Sequence, residues 1–235
     1  MNATDSVRRS APPLDGGPVS LRFRAARADD AHACAPLIFA SGVREFGFFL
    51  GEPADECVRF LAFAFASKFG RFSYKRHRVA VTRDDRPVGI LAIHDGRTRW
   101  LDDPHVALML LLHFGVLRTV RMLLRGLVLE SELPAPKSTQ TLIAHCATHE
   151  SMRGTGVFSA LFADAIRAAG LANPSSPTAD AGRSGQLVLD VLVSNTRASD
   201  LYRRLGFVEL PRRAAISPRL PRELESVRMK WLEKN

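Results

Sequence analysis

Between residues 149 and 162 the chain reads HESMRGTGVFSALF, a run whose residue types and spacing suit anion binding. Gly154 and Gly156 bracket Thr155 immediately ahead of an amphipathic segment. A helix that starts behind glycines presents unpaired backbone amides and the positive end of its dipole, so it can hold a pyrophosphate without a metal. Glycine lets the ligand approach the main chain closely, and Arg153 adds a fork of fixed charge. Taken alone, the same letters also describe a glycine turn before a core helix with a surface arginine beside it. Phe158 stands where a small residue is expected, so its ring either narrows the anion site or points inward.

The surrounding segments must position this run. VSLRFRAA (19–26) alternates as a half-buried strand, and Asp29 or Asp30 can cap a helix through ACAPLIFAS. In ADECVRFLAFAFASKFG, Cys57, Leu61, Phe65 and Phe69 recur every four residues, which predicts one apolar helix stripe stopped by Gly70. The phenylalanines here, Phe60, Phe63, Phe65 and Phe69, like the leucines of the helical stretch beyond the next hairpin, read as core or lid rather than an aromatic recognition box. HRVAVTRDDRPVGILAIHDG (77–96) has the pattern of an antiparallel hairpin, with Gly89 marking a bulge. A long helical stretch from His105 to Glu130 follows, interrupted by Gly115 and Gly126, and Arg118, Arg121 and Arg125 lie along one stripe. That stripe reads first as a solvated face, and otherwise as a site for an acidic substrate or for anionic lipid.

STQTLIAHCATHE (138–150) is a strand that feeds directly into the opening run, whose helix then packs on the sheet. After the polar loop LANPSSPTADAGRSG comes the strand QLVLDVLVS, and then Asn195 caps the short helix TRASDLYRRLGF, which Gly206 stops. FVEL and VRMKWLE complete the strands. The mixture predicts an α/β (α+β) fold, a central mixed and mostly antiparallel sheet with helices on both faces. Residues 1–19 read as a disordered lead and 20–235 as a single domain with a helical insertion at about 104–131.

At 235 residues and 46% hydrophobic content the chain can bury a sizeable core. Cys34, Cys57 and Cys146 are odd in number and widely separated, which fits buried thiols in a reduced compartment rather than disulfides or a zinc site. No apolar signal core opens the chain, and the most apolar stretch, inside Asp103 to Arg118, is too short to span a bilayer, so a cytoplasmic protein without a transmembrane segment is expected. The net charge of +9 attracts phosphate-bearing ligands, nucleic acid or anionic membrane alike. No aromatic interleaving or recognition helix accompanies it, and no nucleic-acid partner is expected.

The order strand, R-G-T-G, helix, strand, then N-T-R-A-S-D-L-Y-R-R-L-G-F resembles the GNAT superfamily of N-acetyltransferases, most closely from Thr141 to Phe207. The hairpin and the opening strand and helix fit that family's first half; the helical insertion lies outside its minimal fold, as in some bacterial members. The resemblance implies acetyl-coenzyme A as acyl donor and no metal. It places Arg153, Gly154, Thr155, Gly156, Val157 and Phe158 in the pyrophosphate loop, with Phe158 departing from the pattern at its last position. Cys146, Ala147 and Thr148 match the strand whose main chain pairs with the pantetheine arm. Asn195 and Tyr202 match the later motif, in which the tyrosine hydroxyl reaches the coenzyme sulfur. A phenol with an ordinary pKa of about 10 stays protonated at neutral pH and can serve a departing thiolate as general acid.

An alkylammonium acceptor must lose a proton before it attacks, and His145, His149 and Glu150 are the candidate bases. The resemblance also places the acceptor pocket in 40–75, 96–137 and 207–225, leaving the acceptor open as a small-molecule or peptide amine, and the chain as a possible homodimer. The expected activity is direct transfer of an acetyl or other acyl group to an amine in a ternary complex. Its rivals are a non-catalytic acyl-coenzyme A binding module and a basic protein of nucleic acid or membrane surfaces.

Overall fold

The computed structural model describes residues 20–171, 186–211 and 217–232. The expected lead at 1–19 and nearly all of the loop before QLVLDVLVS lie outside the described residues. β1 (Arg22–Ala25) is followed by helices α1 (Ala31–Ser41), α2 (Val43–Leu50) and α3 (Ala54–Phe65). The hairpin β2 (His77–Val81) and β3 (Pro87–Asp95) leads into α4 (Arg99–Phe114) and α5 (Val116–Glu132). Then come β4 (Gln140–Thr148), α6 (Val157–Ala168), β5 (Gln186–Leu192), α7 (Thr196–Arg204), β6 (Phe207–Glu209) and β7 (Ser226–Trp231).

The seven strands form one sheet in the order β1-β2-β3-β4-β5-β7-β6, and β4 with β5 is its one parallel pair. Alternation along the strands feeds two cores. Val79, Val81 and Ile90 face a cluster with Cys34, Ile38, Phe60, Leu61 and Phe65 of α1 and α3. Ala80, Leu91, Ile143 and Leu189 face the other way, against Val157, Leu161, Phe162 and Tyr202 of α6 and α7. Arg78 Nε donates to Asp164 at 2.8 Å, tying α6 to the hairpin. The expected mixed sheet with helices on both faces is the observed one.

Several local readings change. The α3 stripe buries Cys57, Leu61 and Phe65, but the helix ends at Phe65, so Phe69 stands outside it and is exposed. Phe63 is exposed as well, and only Phe60 and Phe65 of that group are core. The segment 43–50, for which the sequence pattern predicted no element, is a helix closed by Gly51 in the left-handed region. Gly115 does break the insertion, whereas Gly126 sits inside α5, where an added Cβ would come within 3.0 Å of the Phe49 ring. The hairpin bulge falls at Val88, beside Gly89. Cys34 and Cys57 are buried as expected, while Cys146 is only partly so. Among the described residues no single helix is long and apolar enough to cross a membrane.

Candidate active site

β4 and β5 lie side by side only from Gln140 and Gln186 to Ile143 and Leu189. Past that point β4 stays paired with β3 as far as Thr148, and β5 stays paired with β7 as far as Leu192. The strands part, and among the described residues no strand lies beside the β5-facing edge of β4 from Ala144 to Thr148. Such an edge can lend its main-chain groups to an extended ligand.

A bulge sits at the point of parting. Ala144 pairs with Ala92 and Ala147 with Ile90, so β4 carries one residue more than β3 in that interval. His145 occupies it with φ of +53°, a left-handed conformation that costs a non-glycine residue energy and persists only where neighbours hold it. Here the neighbours are aromatic: the Phe72 ring stacks at 5.4 Å and that of Phe46 lies at 6.0 Å.

The protonation of His145 follows from its hydrogen bonds. His77 Nδ1 lies 2.8 Å from the Ser73 carbonyl, which can only accept, so the proton is on Nδ1. Burial, opposed by that bond, pushes His77 down to about 4, so the ring is neutral and its Nε2 is a bare acceptor. The Nδ1–H of His145, 2.9 Å away, therefore donates to it. Burial first, and then the proximity of His77, His94 and the Arg71 guanidinium, each of which disfavours a second positive charge, also hold His145 well below the usual imidazole range. The consequence is a neutral His145 whose lone pair is on Nε2, oriented by a second histidine.

His145 lines two adjoining cavities. The first, about 220 Å³, is bounded by Ser41, Glu45, His94, Ile143 and Leu192 among others. The second, about 370 Å³, runs beneath α5 past Phe49, Leu123 and Leu127. Glu45, Phe46 and Arg71 border both. Glu45 Oε2 and His94 Nδ1 are buried without a hydrogen-bond partner, two of three such atoms among the described residues. A buried orphan of this kind costs about 1–3 kcal/mol, and two on one cavity wall offer hydrogen-bonding capacity that the protein itself leaves unused. Burial raises the Glu45 carboxyl, and an incoming cationic amine would reverse that shift. The walls come from 40–75, 96–137 and the adjoining parts of β3, β4 and β5, and no described residue of 207–225 contributes.

Tyr202 lies on the other face of the sheet. Its hydroxyl meets the Cys146 thiol beside the β4 bulge, and burial first, then Cys146, raises it well above the ordinary phenol range. Burial likewise pushes the Cys146 thiol up, to about 12, against the opposing Tyr202 hydrogen bond. Both groups hold their protons at neutral pH. Tyr202 lines neither cavity, so the sheet separates it from the Glu45 side.

Beyond β4 the chain makes one short turn and enters the glycine run. Gly154 and Gly156 have φ of +83° and +84°, and nothing lies within 4 Å of where either Cβ would be. The glycines are required by backbone conformation and leave the loop open to a ligand. The Gly156 carbonyl accepts from Ala160 N at 3.1 Å, so the amides of Val157, Phe158 and Ser159 precede the first intrahelical bond of α6. Arg153 is exposed, and among the described residues no ion pair to a carboxylate holds it. Phe158 is 9% exposed, and its ring meets Tyr202 edge-on at 6.2 Å. The ring points into the core, leaving the amides of the run uncovered.

The remaining sequence candidates fall elsewhere. His149 and Glu150 are exposed at the end of β4, where His149 Nδ1 bonds Ser151 Oγ at 2.8 Å and caps the turn; neither borders a cavity. Asn195 Oδ1 accepts from Ala198 N at 3.2 Å, a helix cap for α7. Glu45, His77 and His94 escaped sequence reasoning. The only trace of Glu45 was one acid inside an aromatic run, VREFGFFL, and nothing in the letters pairs His77 with a residue far along the chain.

No protein-family model matches the sequence, and no curated protein is similar enough to count as a relative. Solved structures are similar in fold. One acetyltransferase aligns with a TM-score of 0.60 at 17% identity, over 89% of this chain and 98% of that chain. An N-acetyltransferase from Staphylococcus aureus Mu50 aligns with a TM-score of 0.58 at 15% identity, over 89% and 99%. A Corynebacterium glutamicum protein described as histone acetyltransferase HPA2 and related acetyltransferase aligns with a TM-score of 0.54 at 20% identity, over 90% and 95%. The chain has the GNAT-like acetyltransferase fold.

Proposed function

We propose that this protein is a GNAT-type N-acyltransferase that moves an acetyl or similar acyl group from its coenzyme A thioester to an amine in a ternary complex. The observation that supports this best is the parting of β4 from β5, which leaves an unpaired edge running from the His145 bulge to the open glycine run. An extended pantetheine chain fits between those two points, with its amides on Ala147 and Thr148. The amides of Val157 and Phe158, which precede the first bond of α6, and Arg153, unpaired among the described residues, suit its pyrophosphate.

On this reading the acceptor enters the cavity on the other side of His145. Glu45 takes the ammonium, and His145 Nε2 removes a proton from it directly or through water, with His77 fixing the tautomer. The freed amine attacks the thioester carbonyl, and the carbon–sulfur bond breaks. Tyr202 then turns its proton from Cys146 to the leaving sulfur. The apolar second cavity suits an amine carried on a hydrocarbon or aromatic body.

Calorimetric titration with acetyl-coenzyme A and thiol release across a panel of amines test this. Saturable coenzyme binding, intersecting initial-rate lines, and kcat losses of about 100-fold or more in His145→Gln and Tyr202→Phe are expected. Glu45→Gln should raise KM for the amine more than it lowers kcat. Absence of coenzyme A binding refutes the reading, and binding without thiol release identifies a non-catalytic acyl-coenzyme A module.

A further inference from the structure

We infer that the α4–α5 hairpin seats the protein on an anionic lipid surface. The hairpin leaves an apolar face uncovered: Leu112 is 63% exposed, Val116 69%, Leu117 66%, Leu124 60% and Leu127 66%. On α5, Leu117, Val120, Leu124 and Leu127 recur at spacings of three and four, so they form one continuous stripe. Phe69, 69% exposed and 6.0 Å from the His105 ring, extends the face along α4. Contiguous exposed apolar surface on this scale marks an interaction site.

Charge decides what covers it. From Pro104 to Leu129 there is no acidic residue, while Arg118 and Arg121 lie exposed beside the stripe. Arg125 turns inward instead, where its Nε donates to the Phe49 carbonyl at 3.0 Å, and Arg118 reaches Glu52 at 3.6 Å at the margin. A second copy laid on this face would bring Arg121 to a hairpin that carries no acid of its own from Pro104 to Leu129, with Glu52 at the margin already taken by Arg118. Lipid phosphates complement it, because long arginine side chains reach the headgroup layer while the leucines enter the acyl boundary. At 17 residues α5 is about 25 Å long, suited to lying in the interface rather than crossing it. The overall charge of +9 favours the approach. Leu123 and Leu127, both exposed, also line the second cavity.

Co-sedimentation of the full chain with vesicles of phosphatidylcholine, and of phosphatidylcholine mixed with phosphatidylglycerol, tests the inference. The protein should pellet with the mixed vesicles. The Leu117→Ser/Leu124→Ser double variant should lose at least about tenfold in vesicle affinity, with unchanged melting temperature and acetyl-coenzyme A titration. Arg121→Glu should weaken binding to the mixed vesicles only. A wild-type chain that stays in the supernatant overturns the inference, as does unchanged binding in both variants, which would trace it to the overall charge. A concentration-dependent dimer that the double variant dissociates, without vesicle binding, assigns the face to a second copy and overturns it as well. None of these outcomes depends on coenzyme turnover, so the inference and the proposed function fail separately.

Discussion

Phe158 shows how one side chain serves two neighbours. Its amide belongs to the open start of α6, while its ring fills the core against Tyr202. Phe158→Ala should cost about 3 kcal/mol or more, from lost burial and the cavity left behind, and it should free the Tyr202 ring, lowering kcat more than coenzyme affinity. Urea unfolding and steady-state kinetics check this. Unchanged stability with tighter coenzyme binding would mean that the ring obstructs the loop. Arg153, the glycines and Tyr202 were all legible in the letters, because local pattern and family resemblance act at short range. Glu45 and His77 were not, because an orphaned carboxyl and a histidine relay arise only when distant segments meet.

At the scale of elements, the bulge in β4, its separation from β5 and the glycine run form one continuous surface. Gly156 joins it to α6 with φ of +84° and with no atom near its missing Cβ. Gly156→Ala therefore meets conformational strain alone, about 1–2 kcal/mol, and relieving that strain would turn the free amides away. Calorimetry should show coenzyme affinity falling about tenfold or more; wild-type affinity would exclude these amides as the pyrophosphate ligands. Strand and helix periodicity located nearly every element of the sheet. It missed α2, an eight-residue helix whose aromatic residues show no clean alternation, and it ran α3 on to Phe69, because the spacing continues after the backbone has turned.

Across the whole molecule, the buried imidazoles of His77 and His94 and the partly exposed His145 tie stability to pH. Burial is the first cause of each downward shift. A histidine pushed down on folding binds fewer protons folded than unfolded, so its contribution is complete above the unfolded value of about 6.5 and is lost as pH falls towards the folded one. For His77, at about 4, the loss by about pH 5 is about 2 kcal/mol, and His94 and His145 add to it. Urea unfolding should show stability flat above about pH 7 and falling steeply below about 6; a level profile through that window would contradict the neutral state of these rings. The sequence by itself determined the class of sheet, the helix start at Gly156, the Asn195 cap and the acid-free leucine hairpin, because each depends on periodicity or on residues within a few positions. Only the tertiary structure decided that β4 and β5 part at Ile143, that His145 is neutral with its proton on Nδ1, and that Phe158 points inward. It also decided that the hairpin's leucines stay uncovered. Burial and hydrogen-bond partnership are properties of segments brought together from far along the chain.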